Sequence, residues 1–204
     1  MDWQWVTKLS EELLKPLPGI DAQLRLSPPA RQMIESDMPV RDSAVLIVLY
    51  SIEQKVHTVF IKRAEYNGVH SGQVCLPGGM FKPSDDGLQR TALRETREET
   101  GVPENDVEII GNLTKLYIPV SRVNVFPFVG VCRNRPIFTP DPFEVRYLIE
   151  TGLEELSDPA NQKQKIMQIG DHEIEIPFFD IHGDHIWGAT AMIMSEFLEI
   201  VRRI

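Results

Sequence analysis

The chain has 204 residues and a formal net charge of −9, with 42% hydrophobic and 25% charged residues. That is enough apolar material for a single ordinary core without disulfides or a structural metal. The negative balance argues against nonspecific binding of nucleic acid or anionic membranes, which needs a basic surface, though not against an anionic substrate reached through bound cations.

From the N-terminus, residues 2–15 read as an amphipathic helix with Val6, Leu9 and Leu13 at helical spacing, ending before Pro16 and Pro18. This run lacks the basic start and unbroken apolar stretch of a signal peptide, and no segment reaches membrane-spanning length. The expected compartment is the cytoplasm. Ser27-Pro28-Pro29-Ala30 reads as a second helix start. Residues 1–40 are therefore expected to form a helical extension ahead of a domain spanning 41–204.

Residues 43–51, S-A-V-L-I-V-L-Y-S, form a nearly continuous apolar run that suits a strand buried on both faces. A short polar link joins it to a strand over 57–62, so a hairpin is expected. A short apolar strand then runs into Pro77-Gly78-Gly79. A helix is expected from about Asp86 to Thr100, stopping at Gly101. Strands fit 106–117, 123–132, 144–149, 164–169 and 172–178, and a closing helix fits 189–203. Cys75 and Cys132 read as free, buried small hydrophobes. Strands mixed with a few helices indicate an α/β or α+β layered domain.

By residue type, the segment that carries chemistry lies at 78–102. Glu95, Glu98 and Glu99 are spaced i, i+3, i+4, within roughly a 100° arc of one helix face. Three like charges so close repel. Either cationic side chains such as Arg94 and Arg97 neutralise them, or a hard divalent cation does. Spacing alone leaves both open.

The wider context resembles the Nudix hydrolase signature, Gly-x5-Glu-x7-Arg-Glu-U-x-Glu-Glu-x-Gly-U, where U is a bulky apolar residue. Residues 94–102, R-E-T-R-E-E-T-G-V, fit its second half, with Thr96 at a lenient apolar position. The first half departs. Asp85 sits at the expected interval from Gly79 but too far from Arg94, and Asp86 has the opposite spacing. The box thus carries one extra residue and an aspartate for its first acid.

That form is similar to the coenzyme A pyrophosphatase branch of the family. H-S-G-Q-V-C-L-P-G-G over 70–79, S-D-D over 84–86 and T-A-L-R-E-T-R-E-E over 91–99 carry the resemblance. F-I-K-R-A over 60–64, V-F-P-F-V-G over 125–130 and I-W-G-A-T-A over 186–191 add to it. It covers about residues 43–200. Met80 departs from a position that is often basic in the branch, and Ala64 from one that is usually serine.

The resemblance implies a Nudix-type α/β/α sandwich with a mixed central sheet. It implies Mg²⁺ (or Mn²⁺) held by Glu95, Glu98 and Glu99, with a carbonyl from Gly79, and Arg94 orienting a carboxylate. Hydrolysis of a diphosphate linkage follows, in coenzyme A or an acyl form, giving 4′-phosphopantetheine and adenosine 3′,5′-bisphosphate. For the general base, a box glutamate competes with Glu144 in D-P-F-E-V. Lys62, Arg63 and His70 are candidates for substrate contact. The expected partner is a small nucleoside diphosphate derivative, the chain being a monomer or homodimer. Two other readings stand beside this: a Nudix enzyme for another diphosphate or a nucleoside triphosphate, and a non-catalytic ligand-sensing Nudix domain, against which the intact second-half acids count.

Overall fold

The computed structural model describes residues 2–28, 39–65, 70–169 and 172–204. The helix start expected at Pro29-Ala30 lies outside them. The fold is organised by one strand, β1 (Arg41–Ile52), whose side chains divide between two cores. Ala44, Leu46, Val48 and Tyr50 face one apolar cluster, while Ile47 and Leu49 face the other, as strand alternation requires. The continuous apolar run is thus explained by burial on both sides.

β2 (Lys55–Arg63) returns antiparallel to β1. Glu53 and Gln54 make the turn, both with positive φ (49° and 66°), the backbone sign of the two-residue hairpin turn that matches strand twist. β3 (Val74–Cys75) pairs with the end of β2, and β4 (Gly78–Met80) with the start of β1. The run expected at 106–117 divides into β5 (Val107–Asn112) and β6 (Leu116–Ile118), which both lie antiparallel to β7 (Val123–Cys132). β7 runs parallel to β1, making the sheet mixed, and β8 (Val145–Gly152) lies along β2.

A second sheet of the described strands contains β9 (Gln162–Ile169), β10 (His172–Ile181) and β11 (Asp184–Trp187), the last unforeseen in the sequence. Two further short helices are α2 (Gly19–Leu24) and α4 (Leu153–Ser157).

Helix α3 (Leu88–Thr100) covers one face of the main sheet, with Ala92 joining the Leu46 cluster. Helices α1 (Trp3–Leu13) and α5 (Gly188–Val201) cover the other, with Val6, Leu9 and Leu13 in the same cluster as Met192, Phe197 and Leu198. The layers are helix, mixed sheet, helix.

The N-terminal extension is integrated into this body. Glu196 of α5 is fully buried, yet no cation faces it among the described residues. Its carboxylate instead accepts from Gly19 N (3.2 Å), Gln23 Nε2 (2.8 Å), Thr114 Oγ1 (2.7 Å) and Thr114 N (3.3 Å). A buried carboxylate needs such saturation. Here it pins α2, α5 and the β5–β6 connection together.

Candidate active site

Gly78 and Gly79 lie on β4, paired with Val45 and Ala44 at the start of the apolar run of β1. A Cβ on Gly78 would run into the Ala44 carbonyl and the Val45 Cα. A Cβ on Gly79 would lie 2.5 Å from the Glu95 carboxylate. Both glycines are thus required by close approach, Gly78 to the sheet and Gly79 to the helix. α3 ends on Gly101 in the left-handed conformation (φ 78°), whose N–H donates to Arg97 O at 2.9 Å.

Arg94 is the centre of the polar cluster. Its Nε and Nη2 donate to the two Asp85 oxygens at 2.7 and 2.8 Å, a bidentate pair. Its Nη1 donates to Glu95 Oε1 at 2.6 Å and Glu98 Oε2 at 3.0 Å, and Nη2 also reaches Met80 O at 3.3 Å. Asp85 is nearly buried and accepts further bonds from Thr91 Oγ1 (2.8 Å) and Lys82 N (3.1 Å). The Arg94 guanidinium holds its carboxyl well below the usual carboxylate range.

This settles which aspartate replaces the first acid of the box. Asp85 does, and the extra residue is absorbed in the turn before the helix. The guanidinium selects it by reach, which spacing could not show.

Of the two ways to relieve three glutamates, the side-chain geometry shows the cationic one. Arg94 bridges Glu95 and Glu98, and Lys82 Nζ lies 3.9 Å from Glu95 Oε1 and 3.6 Å from Glu98 Oε2. Lys82 supplies a cation near the place where Met80 departs from the branch, and nothing in the sequence marked it. Among the described residues, no three His, Cys, Asp or Glu side chains close on one point.

Glu99 behaves differently from its two neighbours. It is buried, at 1% exposure, while the Glu98 side chain is 39% exposed. Its Oε2 accepts from Gly78 N at 2.8 Å and its Oε1 faces Arg63 Nη1 at 3.4 Å. Burial pushes its carboxyl up to about 8, against the pull of the Gly78 N–H and Arg63, and with a further push from Glu95 and Glu144.

Glu144 is exposed and close enough to act on Glu99 because its loop is tied down at several points. Thr139 N donates to Thr100 O (2.8 Å), Asp141 N to Glu99 O (3.3 Å) and Ala64 N to Glu144 O (2.9 Å). Gly101 permits this crossing, since a Cβ there would lie 2.8 Å from Thr139 O. The structure thus brings Glu95, Glu98, Glu99, Gly79, Arg94, Arg63 and Glu144 around one helix.

Two candidates are placed elsewhere. Lys62 leaves β2 on the face opposite Arg63 and pairs with Asp184 at 3.0 Å. His70 Nδ1 lies 3.1 Å from Gln73 Oε1 in the turn before β3. The two cysteines are free, and burial pushes both thiols up to about 12, as inert packing residues require.

Residues 40–168 match the model of the NUDIX domain. The chain belongs to the Nudix hydrolase family. It is 31% identical over 189 residues to the human mitochondrial coenzyme A diphosphatase NUDT8, covering 91% of this chain and 75% of that protein. It is 34% identical over 164 residues to an uncharacterized Nudix hydrolase, NudL, of Yersinia pestis, covering 79% and 80%. It is 33% identical over 181 residues to the chloroplastic Nudix hydrolase 22 of Arabidopsis thaliana, covering 82% of this chain and 59% of that one.

Solved Nudix structures share the fold. A MutT/nudix family protein from Enterococcus faecalis superposes with a TM-score of 0.56 at 14% identity, covering 84% of this chain and 66% of that one. The MutT protein of Methanosarcina mazei gives 0.51 at 17%, covering 83% and 97%. These likenesses bear on the α/β/α architecture alone. No helix among the described residues is long and apolar enough to cross a membrane. The relatives' names include mitochondrial and chloroplastic forms, so Nudix membership does not carry the expected cytoplasmic location.

Proposed function

We propose that this Nudix hydrolase cleaves the diphosphate linkage of coenzyme A or an acyl-coenzyme A, with Mg²⁺ or Mn²⁺ held on α3. The observation that carries the hydrolase reading is the Asp85–Arg94 clamp, which holds Glu95 against Gly79 and ties Glu98 to the same guanidinium. The substrate rests on the coenzyme A branch motifs of the sequence and on the likeness to the human diphosphatase.

The donor set fits a hard cation. It offers carboxylate oxygens and the backbone of a glycine, with solvent access at Glu98 for water and phosphate. Glu95, Glu98 and Glu99 would hold it, with the Gly79 carbonyl, once their carboxylates turn from Arg94, Arg63 and Gly78 N toward one point. Bound there, a cation would neutralise phosphate oxygens and lower the pKa of an attacking water.

The protein's own groups do the rest. Arg94 holds Glu95 and Glu98 in place, because its guanidinium is itself anchored on Asp85. The attacking water gives its proton to Glu98 or Glu144, the two exposed carboxylates of the cluster. Its oxygen bonds to phosphorus while the bond to the bridging oxygen breaks, giving 4′-phosphopantetheine and adenosine 3′,5′-bisphosphate. Arg63, half-buried against Glu99, offers positive charge beside the phosphates.

The test is a substrate panel with and without Mg²⁺, read by product chromatography. Coenzyme A with Mg²⁺ should yield adenosine 3′,5′-bisphosphate, and Glu98→Gln should lose about 100-fold or more in rate while the fold persists. If another diphosphate turns over and coenzyme A does not, the substrate assignment fails. If Glu98→Gln is as active as the wild type, the metal site fails with it.

A further inference from the structure

Lys62 and Arg63 are adjacent, so their Cα atoms lie about 3.8 Å apart, yet they serve opposite faces of the sheet. Arg63 reaches Glu99. Lys62 opens into a cavity of about 200 Å³ that no step above uses. Gln73 and Val74 at the start of β3, Lys165 of β9, and Asp184, His185 and Trp187 of β11 also line it.

The charges in this cavity are unbalanced. Lys62 Nζ pairs with Asp184 Oδ1 at 3.0 Å, but the Asp184 carboxylate is shared with the Tyr147 hydroxyl, 3.0 Å from both oxygens. Lys165 makes no carboxylate pair among the described residues. Its Nζ lies 2.9 Å from His185 Nδ1 and 5.2 Å from the Phe178 ring centroid. Asp180, the other acid acting on His185, is engaged by Lys163 at 2.7 Å. A half-buried ammonium resting on an imidazole and a ring is a costly arrangement unless an anion completes it.

The polar character of the ring agrees with this. An ammonium donating to Nδ1 requires the neutral tautomer with its proton on Nε2, which is then a donor. Burial, and then the nearby Lys62, holds the Lys165 ammonium below its ordinary value. Burial, and then Lys165, does the same to His185. In a chain of net charge −9, two lysines converging on one cavity mark a place where anions are favoured.

We propose that this cavity is a phosphate-binding site, separate from the glutamate helix, in which the Lys62 and Lys165 ammonium groups clasp a phosphate group beside His185. The group is either a phosphomonoester of the substrate or a free phosphate ion. Only the first source rests on the coenzyme A reading above.

The experiment titrates inorganic phosphate into the full chain without Mg²⁺ and follows backbone amide shifts of residues 184–188 by NMR. The site predicts saturable shifts that weaken tenfold or more in Lys165→Met, are largely restored in Lys165→Arg and persist in Glu98→Gln. No saturable shifts in the wild type, or equal affinity in Lys165→Met, overturns the proposal. Steady-state kinetics then separate the two sources. A rise in KM for coenzyme A but not for its 3′-dephospho form assigns the site to the substrate. Unchanged KM for both, with phosphate binding lost, assigns it to the free ion. Because the titration needs no turnover, a failure of the coenzyme A reading leaves it able to decide the cavity.

Discussion

The two glycines of β4 predict opposite consequences for the same substitution. In Gly79→Ala, the new Cβ would lie 2.5 Å from Cδ and Oε2 of Glu95 and 2.8 Å from Oε1. The obstacle is the far end of a flexible side chain, so Glu95 moves and the backbone does not. Ordinary contact distances require a shift of about 1 Å, which is enough to cost on the order of 100-fold in rate when it misplaces a catalytic group. The same shift strains the part-buried Glu95–Arg94 bond at 2.6 Å, weakening it by about 1 kcal/mol. For a chain of this size that is roughly 2–4 °C in Tm.

Gly78→Ala instead drives a Cβ into the backbone of Ala44 and Val45, which lie in β1 between β4 and β7. No side chain can yield there. The cost is about 3 kcal/mol or more, or roughly 6–12 °C in Tm. The assay is thermal unfolding of both variants beside Mg²⁺-dependent turnover. Activity close to wild type in Gly79→Ala would show that Glu95 need not sit where the structure puts it. A Gly78→Ala protein as stable as the wild type would refute the close approach of β4 to β1.

Three further outcomes are expected. Asp85→Asn breaks a buried ion pair and should cost about 3–5 kcal/mol at pH 7 by urea unfolding. Because the folded-state carboxyl is held below its unfolded value, the wild type keeps that contribution above about pH 4 and loses it as pH falls through the folded value. The variant's acid limb should therefore be flatter, and a parallel pair of stability–pH curves would contradict the clamp. Glu99, pushed up to about 8, should surrender its proton when Mg²⁺ binds at pH 7. Calorimetry in buffers of different ionisation enthalpy reads this directly, and apparent affinity should rise with pH until about 8. Binding with no proton release would remove Glu99 from the ligand set. Glu196→Ala orphans several buried donors and should destabilise the fold by about 3 kcal/mol while kcat per folded molecule is unchanged; a neutral effect in urea unfolding would mean that solvent satisfies those donors.

What was legible in the sequence is what local periodicity and chain punctuation encode. The apolar run of 43–51 suits a strand buried on both sides, and Glu95, Glu98 and Glu99 share a face because 3.6 residues make a turn. Gly101 ends α3 because its left-handed backbone suits glycine, and the family follows from the box itself. The tertiary structure alone decided the rest. It chose Asp85 over Asp86, since only the reach of Arg94 distinguishes them. It sent Lys62 and Arg63 to different sites, and gave three similar glutamates different environments, with Glu99 buried on Gly78 N and Glu98 open. It also turned Glu196 inward to donors from residues 19, 23 and 114, a contact set with no local signature. Charge pairing and desolvation depend on which distant segments are folded against a residue, whereas helical and strand spacing depend only on its neighbours along the chain.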